Sequence, residues 1–457
     1  MYFLYSLLLT IGVVALLPRL VYDALRHGKY VAGWRERLGQ LPLIETRGCP
    51  VIWLHCVSVG ETQAARPLAR ALRRQFPSHA LVVSTVTLTG QRVAREVFQA
   101  EAAAIIYFPF DWSWSVLRAL RQVNPAAVLI METELWPRFM RECRARRIPV
   151  VLVNGRLSER SFKRYRLIRS FIARVVSDLD LALMQSEADA ERIRALGLAP
   201  ERVIVSGNIK FDAEATSPAE HALTPELAAR FQLQDGRPLI VAASTHAPEE
   251  RIVIEAFRQL RATGGTTRTR LLIAPRHPER FEEVAALLDS SGFKWARRSS
   301  AAVASDSAAD MILLDTIGEL RAVYPLADVV FVGGSIAPTG GHNVLEPAAV
   351  GACIVTGAHT ANFAAIMRAF LERDALVQLP QLTEALAAPA LAEVFSRLLA
   401  DDGCRRRFGT RARAVFEQNQ GATERTVEVL ARLLGQPADD SLQGQAAGAA
   451  RREALSA

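Results

Sequence analysis

In Val51-Ile-Trp-Leu-His-Cys-Val-Ser-Val-Gly-Glu-Thr62 an apolar run of strand length meets a serine, a glycine and the start of a helical pattern. Val51–His55 does not alternate apolar with polar residues, which is how a strand covered on both faces reads. Gly60 lets the chain turn, and Ser58 or Thr62 suits a helix cap. An amphipathic stretch, Thr62–Phe76, follows. The same sequence of events recurs along the rest of the chain. Runs at Ala80–Ser84, Ala103–Tyr107, Ala126–Met131, Val150–Asn154, Leu181–Met184 and Val203–Ser206 repeat it in the first half. After Asp212–Pro238, a segment broken by Thr216-Ser217-Pro218, Thr224-Pro225 and Gly236-Arg237-Pro238, it restarts. Leu239–Ala243, Leu271–Ala274, Met311–Asp315, Asp328–Gly333 and Cys353–Thr356 form the second series. Strand–helix alternation of this kind predicts parallel sheets with helices on both faces, here two doubly wound α/β domains facing a cleft.

The chain has 457 residues, too many for one core. Half of them are hydrophobic and 22% charged, which excludes disorder over most of the length. Five cysteines stand singly, with no C-x-x-C pair, so neither a structural zinc site nor a disulfide framework is expected. Lys+Arg outnumber Asp+Glu by 55 to 47, a balance that favours anionic partners. The predicted boundaries are a membrane anchor at 1–18, a basic connector at 19–48, a first α/β domain at 49–212, a linker at 213–237, a second α/β domain at 238–436 and a disordered tail at 437–457. Met1–Leu17 carries no charge, and at about 17 residues it is near the short limit for a spanning helix. Arg19, Arg26, Lys29, Arg35 and Arg37 follow it, which places the rest of the chain on the cytoplasmic side. A buried N-terminal helix is the plainer alternative.

In open α/β sheets ligands bind outside the carboxyl ends of strands, so residues there are the candidates for chemistry. Glu61 is one: at the mouth of such a site it can take a proton from a hydroxyl, or it can merely favour a helix start. Glu132 and Glu134, two apart at a strand end, are expected on one side of the strand, where mutual repulsion raises one pKa. Lys210 can neutralise substrate charge. Arg156, Arg160, Lys163 and Arg164, interleaved with Phe162, Leu167, Ile168, Phe171 and Ile172, suit an anionic, greasy target such as a phosphorylated glycolipid. An RNA-binding helix and a solvated helix face are the alternatives. In the second half, Arg276 follows a strand and can fork onto phosphate. Gly333-Gly334 and Gly340-Gly341 are expected to offer backbone N–H groups to an anion, and Glu346 to hold ribose hydroxyls. His342 and Glu346 lie four apart without a third ligand, so no metal site is expected. The spacings fit neither a dinucleotide fingerprint nor a P-loop.

Taken in order, Trp53-x-His55-x-x-Ser58-Val-Gly-Glu61, Glu132-x-Glu134-Leu-Trp-Pro137, Gly207-Asn-x-Lys210-Phe, Pro275-Arg-His277, Gly318-Glu319-Leu and Gly341-His-Asn-x-Leu-Glu-Pro347 resemble the Kdo (3-deoxy-D-manno-octulosonic acid) transferases of lipopolysaccharide assembly. The resemblance runs from the N-terminus to about residue 430. It implies the GT-B fold and an inverting, metal-independent transfer of Kdo from CMP-Kdo to a lipid A precursor. It places the protein on the cytoplasmic face of the inner membrane, with an anionic membrane surface and no nucleic acid as partner. It assigns the proton-accepting role to Glu61 and transition-state stabilisation to Glu132 and Lys210. CMP contacts are expected at Pro275 and Arg276, at Ile317, Gly318 and Glu319, and at Asn343, Val344, Leu345 and Glu346. Gly155 stands where relatives often have alanine. The competing readings are a transferase using a UDP-sugar with another lipid acceptor, and a non-catalytic nucleotide-binding membrane scaffold.

Overall fold

The computed structural model describes residues 2–27, 32–46, 48–214, 218–262 and 268–435. Contacts divide the chain into two units, Met1–Ala213 with the residues from Gln420 onward, and Glu214–Asn419. The expectations about the 437–457 tail and Lys29 lie outside the described residues.

The first unit holds a parallel sheet of β1 (Val51–His55), β2 (Ala80–Thr85), β3 (Ala104–Tyr107), β4 (Pro125–Met131), β5 (Val150–Gly155), β6 (Leu181–Met184) and β7 (Val203–Val205), in the order β3-β2-β1-β4-β5-β6-β7. Every residue of β1 is buried, and successive side chains enter different cores. Val51 and Trp53 pack into one cluster, Ile52 and Leu54 into another. A strand covered on both faces gains by making every position apolar, at roughly 1.5–3 kcal/mol per large side chain, so no alternation survives. Helices start where a short polar residue follows a strand: Ser58, Thr87, Ser158 and Ser186 each accept a helix N–H. The strand order reverses between β1 and β4, and the chain after each of these strands carries Glu61 and Glu132.

The second unit repeats the plan with β8 (Leu239–Thr245), β9 (Arg270–Pro275), β10 (Trp295–Arg297), β11 (Met311–Leu313), β12 (Val329–Val332), β13 (Ile354–Thr356) and β14 (Val377–Gln378), in the order β10-β11-β9-β8-β12-β13-β14, all parallel. Its reversal lies between β8 and β12. Two doubly wound Rossmann-like domains are the architecture of the GT-B fold.

Three boundaries differ from the sequence reading. The segment 213–237 is not only a connector, because it contains the helix Pro218–Phe231, whose Leu227, Ala228 and Phe231 are buried. The last helix, Ala422–Leu433, belongs to the first unit although it falls within 238–436. The Asp212 carboxylate accepts the Gly421 and Thr423 N–H groups at 2.7 and 2.6 Å, and Arg425 Nε donates to the Ser206 carbonyl. The N-terminal helix does not stop at Pro18 but runs from Tyr2 to His27. Among the described residues no helix is long and apolar enough to cross a membrane.

Candidate active site

Glu61 is held in place by the turn that starts its helix. Ser58 caps the helix Val59–Ala64, and its hydroxyl donates to Glu61 Oε1 at 2.8 Å while the Val57 N–H donates to Oε2 at 2.8 Å. The helix-start role and the chemical one therefore coexist in one side chain. Glu61 is only 7% exposed. Burial lifts its pKa to about 7, the charges of Glu132 and Glu134 add to the lift, and the Val57 and Ser58 bonds oppose it.

Glu132 follows β4 with φ of 54°, a left-handed conformation uncommon outside glycine. Its amide bonds the Val153 carbonyl at 2.9 Å, so the sheet holds it there. Lys210 Nζ lies 3.0 Å from Glu132 Oε1. The lysine is brought there by the turn after β7. Gly207 has φ of 91°, and a Cβ there would lie 2.8 Å from Arg425 Nη2. Asn154 Oδ1 accepts the Ile209 N–H and Asn208 Oδ1 accepts that of Lys210, both at 3.1 Å. The structure thus joins Glu132 to Lys210, two of the residues singled out in the sequence, and couples their site electrostatically to Glu61.

One expectation fails here. Glu132 and Glu134 do not ride together on a strand, because β4 ends at Met131 and both lie in the connection to the helix that begins at Pro137. Burial and then the Glu132 charge still raise the Glu134 pKa. His55 belongs to the core. It is fully buried, stacks on Phe108 at 3.8 Å and bonds Ser84 Oγ through Nδ1, and burial pushes its pKa down to about 3.

The basic segment forms the helices Glu159–Leu167 and Arg169–Val176. Arg160, Lys163 and Arg164 are exposed and Arg156 half-buried. Phe162, Phe171 and Ile172 pack inward, leaving Leu167 (85% exposed) and Ile168 as the exposed large hydrophobics of the segment. Beside it, the N-terminal helix docks through one polar face. Tyr2 and Tyr5 donate to Asp178 and Asp111, Arg138 Nε donates to Ser6 Oγ, and Trp112 Nε1 donates to Thr10. Phe3, Leu4, Leu7, Leu8, Ile11 and Val14 are left exposed.

In the second unit, Pro275 ends β9 and Arg276 is exposed just beyond it. Ile317 is exposed and Gly318, at φ of 89°, has open space around it. The Glu319 carboxylate accepts from Arg298 and from Thr316 Oγ1, both at 2.7 Å. Burial works against its charge, but these partners hold its pKa below the usual value. Asn343 Oδ1 accepts the Leu345 N–H, Val344 and Leu345 are buried, and Glu346 meets Arg321 at 3.3 Å.

Gly333, Gly334 and Gly341 do not offer their amides to a ligand as expected. Glu249, wholly buried, accepts the N–H groups of Gly334, Ser335, Ile336 and Ala337 at 2.7 to 3.1 Å, and that of His246 at 3.0 Å. The Gly341 N–H is taken by the Gly334 carbonyl. A Cβ on Gly333 would lie 2.8 Å from Glu249 Oε2, so the close approach needs glycine there. Glu249 and His246 were missed in the sequence. Their signal is Thr245-His246-Ala-Pro-Glu249-Glu250 directly after a strand, the same place that Glu61 occupies in the first unit. Among the described residues no group of three or more His, Cys, Asp or Glu is placed to hold a metal ion.

The family model described as 3-Deoxy-D-manno-octulosonic-acid transferase (kdotransferase) matches residues 32–213. A 3-deoxy-D-manno-octulosonic acid transferase of Haemophilus influenzae is 34% identical over 401 residues, 87% of this chain and 91% of its own. One of Bordetella pertussis is 34% identical over 84% of this chain and 87% of its own. A solved UDP-GlcNAc 2-epimerase of Neisseria meningitidis, bound to UDP-GlcNAc, matches 84% of this chain and 100% of its own with a TM-score of 0.57. At 12% identity that likeness shows the fold alone. Identity at the level of the two transferases, sustained over nearly their full length, means that the chain belongs to the 3-deoxy-D-manno-octulosonic acid transferase family.

Proposed function

We propose that the protein is an inverting glycosyltransferase that moves Kdo from CMP-Kdo to a hydroxyl of a lipid A precursor. The observation that carries this reading is Glu61, a buried carboxylate with a pKa near 7, set across the sheet's switch point from the Glu132–Lys210 pair. A sugar hydroxyl is a weak nucleophile until a base takes its proton. In the proposed step the hydroxyl proton passes to Glu61. The acceptor oxygen bonds the anomeric carbon as the bond from that carbon to the phosphate oxygen breaks, and CMP leaves with the electron pair. Lys210, oriented by Glu132, offsets the negative charge that develops, so the proposed step uses no metal. CMP is read by Pro275 and Arg276, Ile317 to Glu319 and Asn343 to Glu346.

The acceptor's phosphates are met by Arg156, Arg160, Lys163 and Arg164. The membrane arrangement we propose is in-plane, at the cytoplasmic face of the inner membrane. Four polar side chains spread over residues 2–10 tie the N-terminal helix to the first unit. Its opposite face carries the apolar residues that an interfacial helix buries in lipid.

The test is purified protein in detergent with a phosphorylated lipid A precursor and CMP-Kdo generated in the same tube, followed by glycolipid mass. Kdo-sized additions with wild type, absent with folded Glu61→Gln, support the reaction and the base. No addition with competent donor and acceptor, together with turnover of a UDP-sugar, would overturn the donor assignment.

A further inference from the structure

At the switch point of the second sheet three imidazoles meet. His246 follows β8, His277 follows β9, and His342 lies in the loop after β12. His246 Nε2 and His342 Nε2 are 2.7 Å apart with their rings parallel within 6°, so one nitrogen donates and the other accepts. The His277 ring stands edge-on to His246 at 5.0 Å between centroids. Among the described residues neither His246 Nδ1 nor His342 Nδ1 has a hydrogen-bond partner, and the Arg276 guanidinium beside them has no ion pair. Two of the three nearby carboxylates are engaged elsewhere, and the third faces His277 from solvent. Glu250 is paired with Arg280 at 2.7 Å, Glu279 lies 3.6 Å from His277 on the exposed side, and Glu249 is bound by five amides. The loop carrying His342 is fixed by those amide bonds, so the imidazole pair is built in rather than incidental.

We propose that His246, His277 and His342 bind the carboxylate of the donor's sugar, leaving Arg276 for its phosphate. This rests on the donor being an activated sugar acid. Such a donor carries two separate anionic groups, and this edge of the sheet presents two kinds of cationic group side by side. A nucleotide hexose has no carboxylate to fill the imidazole site, so the cluster sets donor specificity. Burial, then neighbouring imidazoles and arginines, keeps His342 and His246 neutral in the free protein. An arriving carboxylate reverses that crowding, and the ligand is bound with uptake of a proton.

The experiment measures KM for CMP-Kdo and the inhibition constant of CMP for wild type, His277→Gln, His246→Gln and His342→Gln. His277 is exposed, so its variant tests the site with little risk to folding. The expected result is a rise in KM of about ten-fold or more, the size of a lost charged hydrogen bond, with CMP inhibition within about two-fold of wild type. Calorimetry in buffers of different ionisation heat adds a readout on the wild type. Near pH 6.5, the ordinary imidazole value, CMP-Kdo is expected to take up protons beyond those taken up with CMP. Equal losses for CMP and CMP-Kdo would assign the imidazoles to the phosphate and overturn the proposal. Unchanged KM in folded variants with no extra proton uptake overturns it as well. Wild type that does not turn over CMP-Kdo but does turn over another nucleotide sugar refutes the reaction itself.

Discussion

Each sheet sets a buried glutamate just after its first strand, and the two glutamates are used in opposite ways. Glu61 accepts one amide and one hydroxyl and has two like charges near it. Glu249 accepts five amides and is wholly enclosed. Burial lifts the pKa of both, so the direction of the shift does not separate them. The partners do. Five N–H donors demand an acceptor-only group and fix it, whereas Glu61 keeps lone pairs unused and a proton equilibrium near neutrality. The same topology thus leaves one carboxylate open to proton exchange and makes the other a brace for a loop. The switch points differ in sign as well. Carboxylates crowd the first, and imidazoles and arginines crowd the second.

The sharpest test of this contrast is Glu61→Gln. Loss of a general base costs about 10²- to 10⁴-fold in kcat, and the variant is expected to stay folded. In wild type, activity is expected to rise with pH through about 7 and then level, because the proposed base must be ionised. The stability effect has the opposite sign. The folded state holds the Glu61 proton more tightly than the unfolded chain, so its contribution is full below the usual carboxylate pKa and is lost as pH rises toward about 7. The Tm of Glu61→Gln relative to wild type is therefore expected to climb between pH 5 and pH 8. A flat difference would mean that Glu61 is ionised throughout.

Much of this architecture was legible in the residues. Val51–His55 and Leu181–Met184 are read to the residue, since strands buried on both faces are continuous apolar runs. β10 and β14 were not legible. They sit at sheet edges, span three and two residues, and pair on one side only, so no apolar run marks them. The helix Pro218–Phe231 was hidden by Thr224-Pro225, which reads as punctuation. In the candidate site, Glu61, Glu132 and Lys210 stood out by position after a strand and by resemblance. Glu249 did not, because its role is defined by amides some 85 residues further along the chain.

Glu249→Gln breaks the other half of the comparison. The amide places an NH₂ where N–H donors converge, and unsatisfied buried donors cost on the order of 2–4 kcal/mol in total. Thermal unfolding is expected to show a clearly lowered Tm. Among molecules that remain folded, KM for the donor should rise more than kcat falls, since the loop positions groups and does no proton transfer. A variant as stable as wild type would show that the loop is held by other contacts.

The smallest effect is expected at the periphery of the first unit. Arg160, Lys163 and Arg164 are exposed, and among the described residues only Lys163 of the three has an ion pair, with Glu159 at 2.7 Å. Exposed charges are screened over about 8–10 Å at ordinary ionic strength, so each contributes little. Reversing all three to glutamate is expected to raise the apparent KM for a phosphorylated glycolipid by roughly three- to thirty-fold at low salt, taking about 1 kcal/mol per cation near an anionic surface as an upper bound. The effect should shrink as salt is added. It should leave CMP inhibition unchanged, because the substitutions lie in the unit that does not carry the nucleotide candidates. Unchanged acceptor kinetics at low salt would remove these residues from acceptor binding. The exposed Leu167, Ile168 and apolar face of the N-terminal helix would then remain the surface for the lipid.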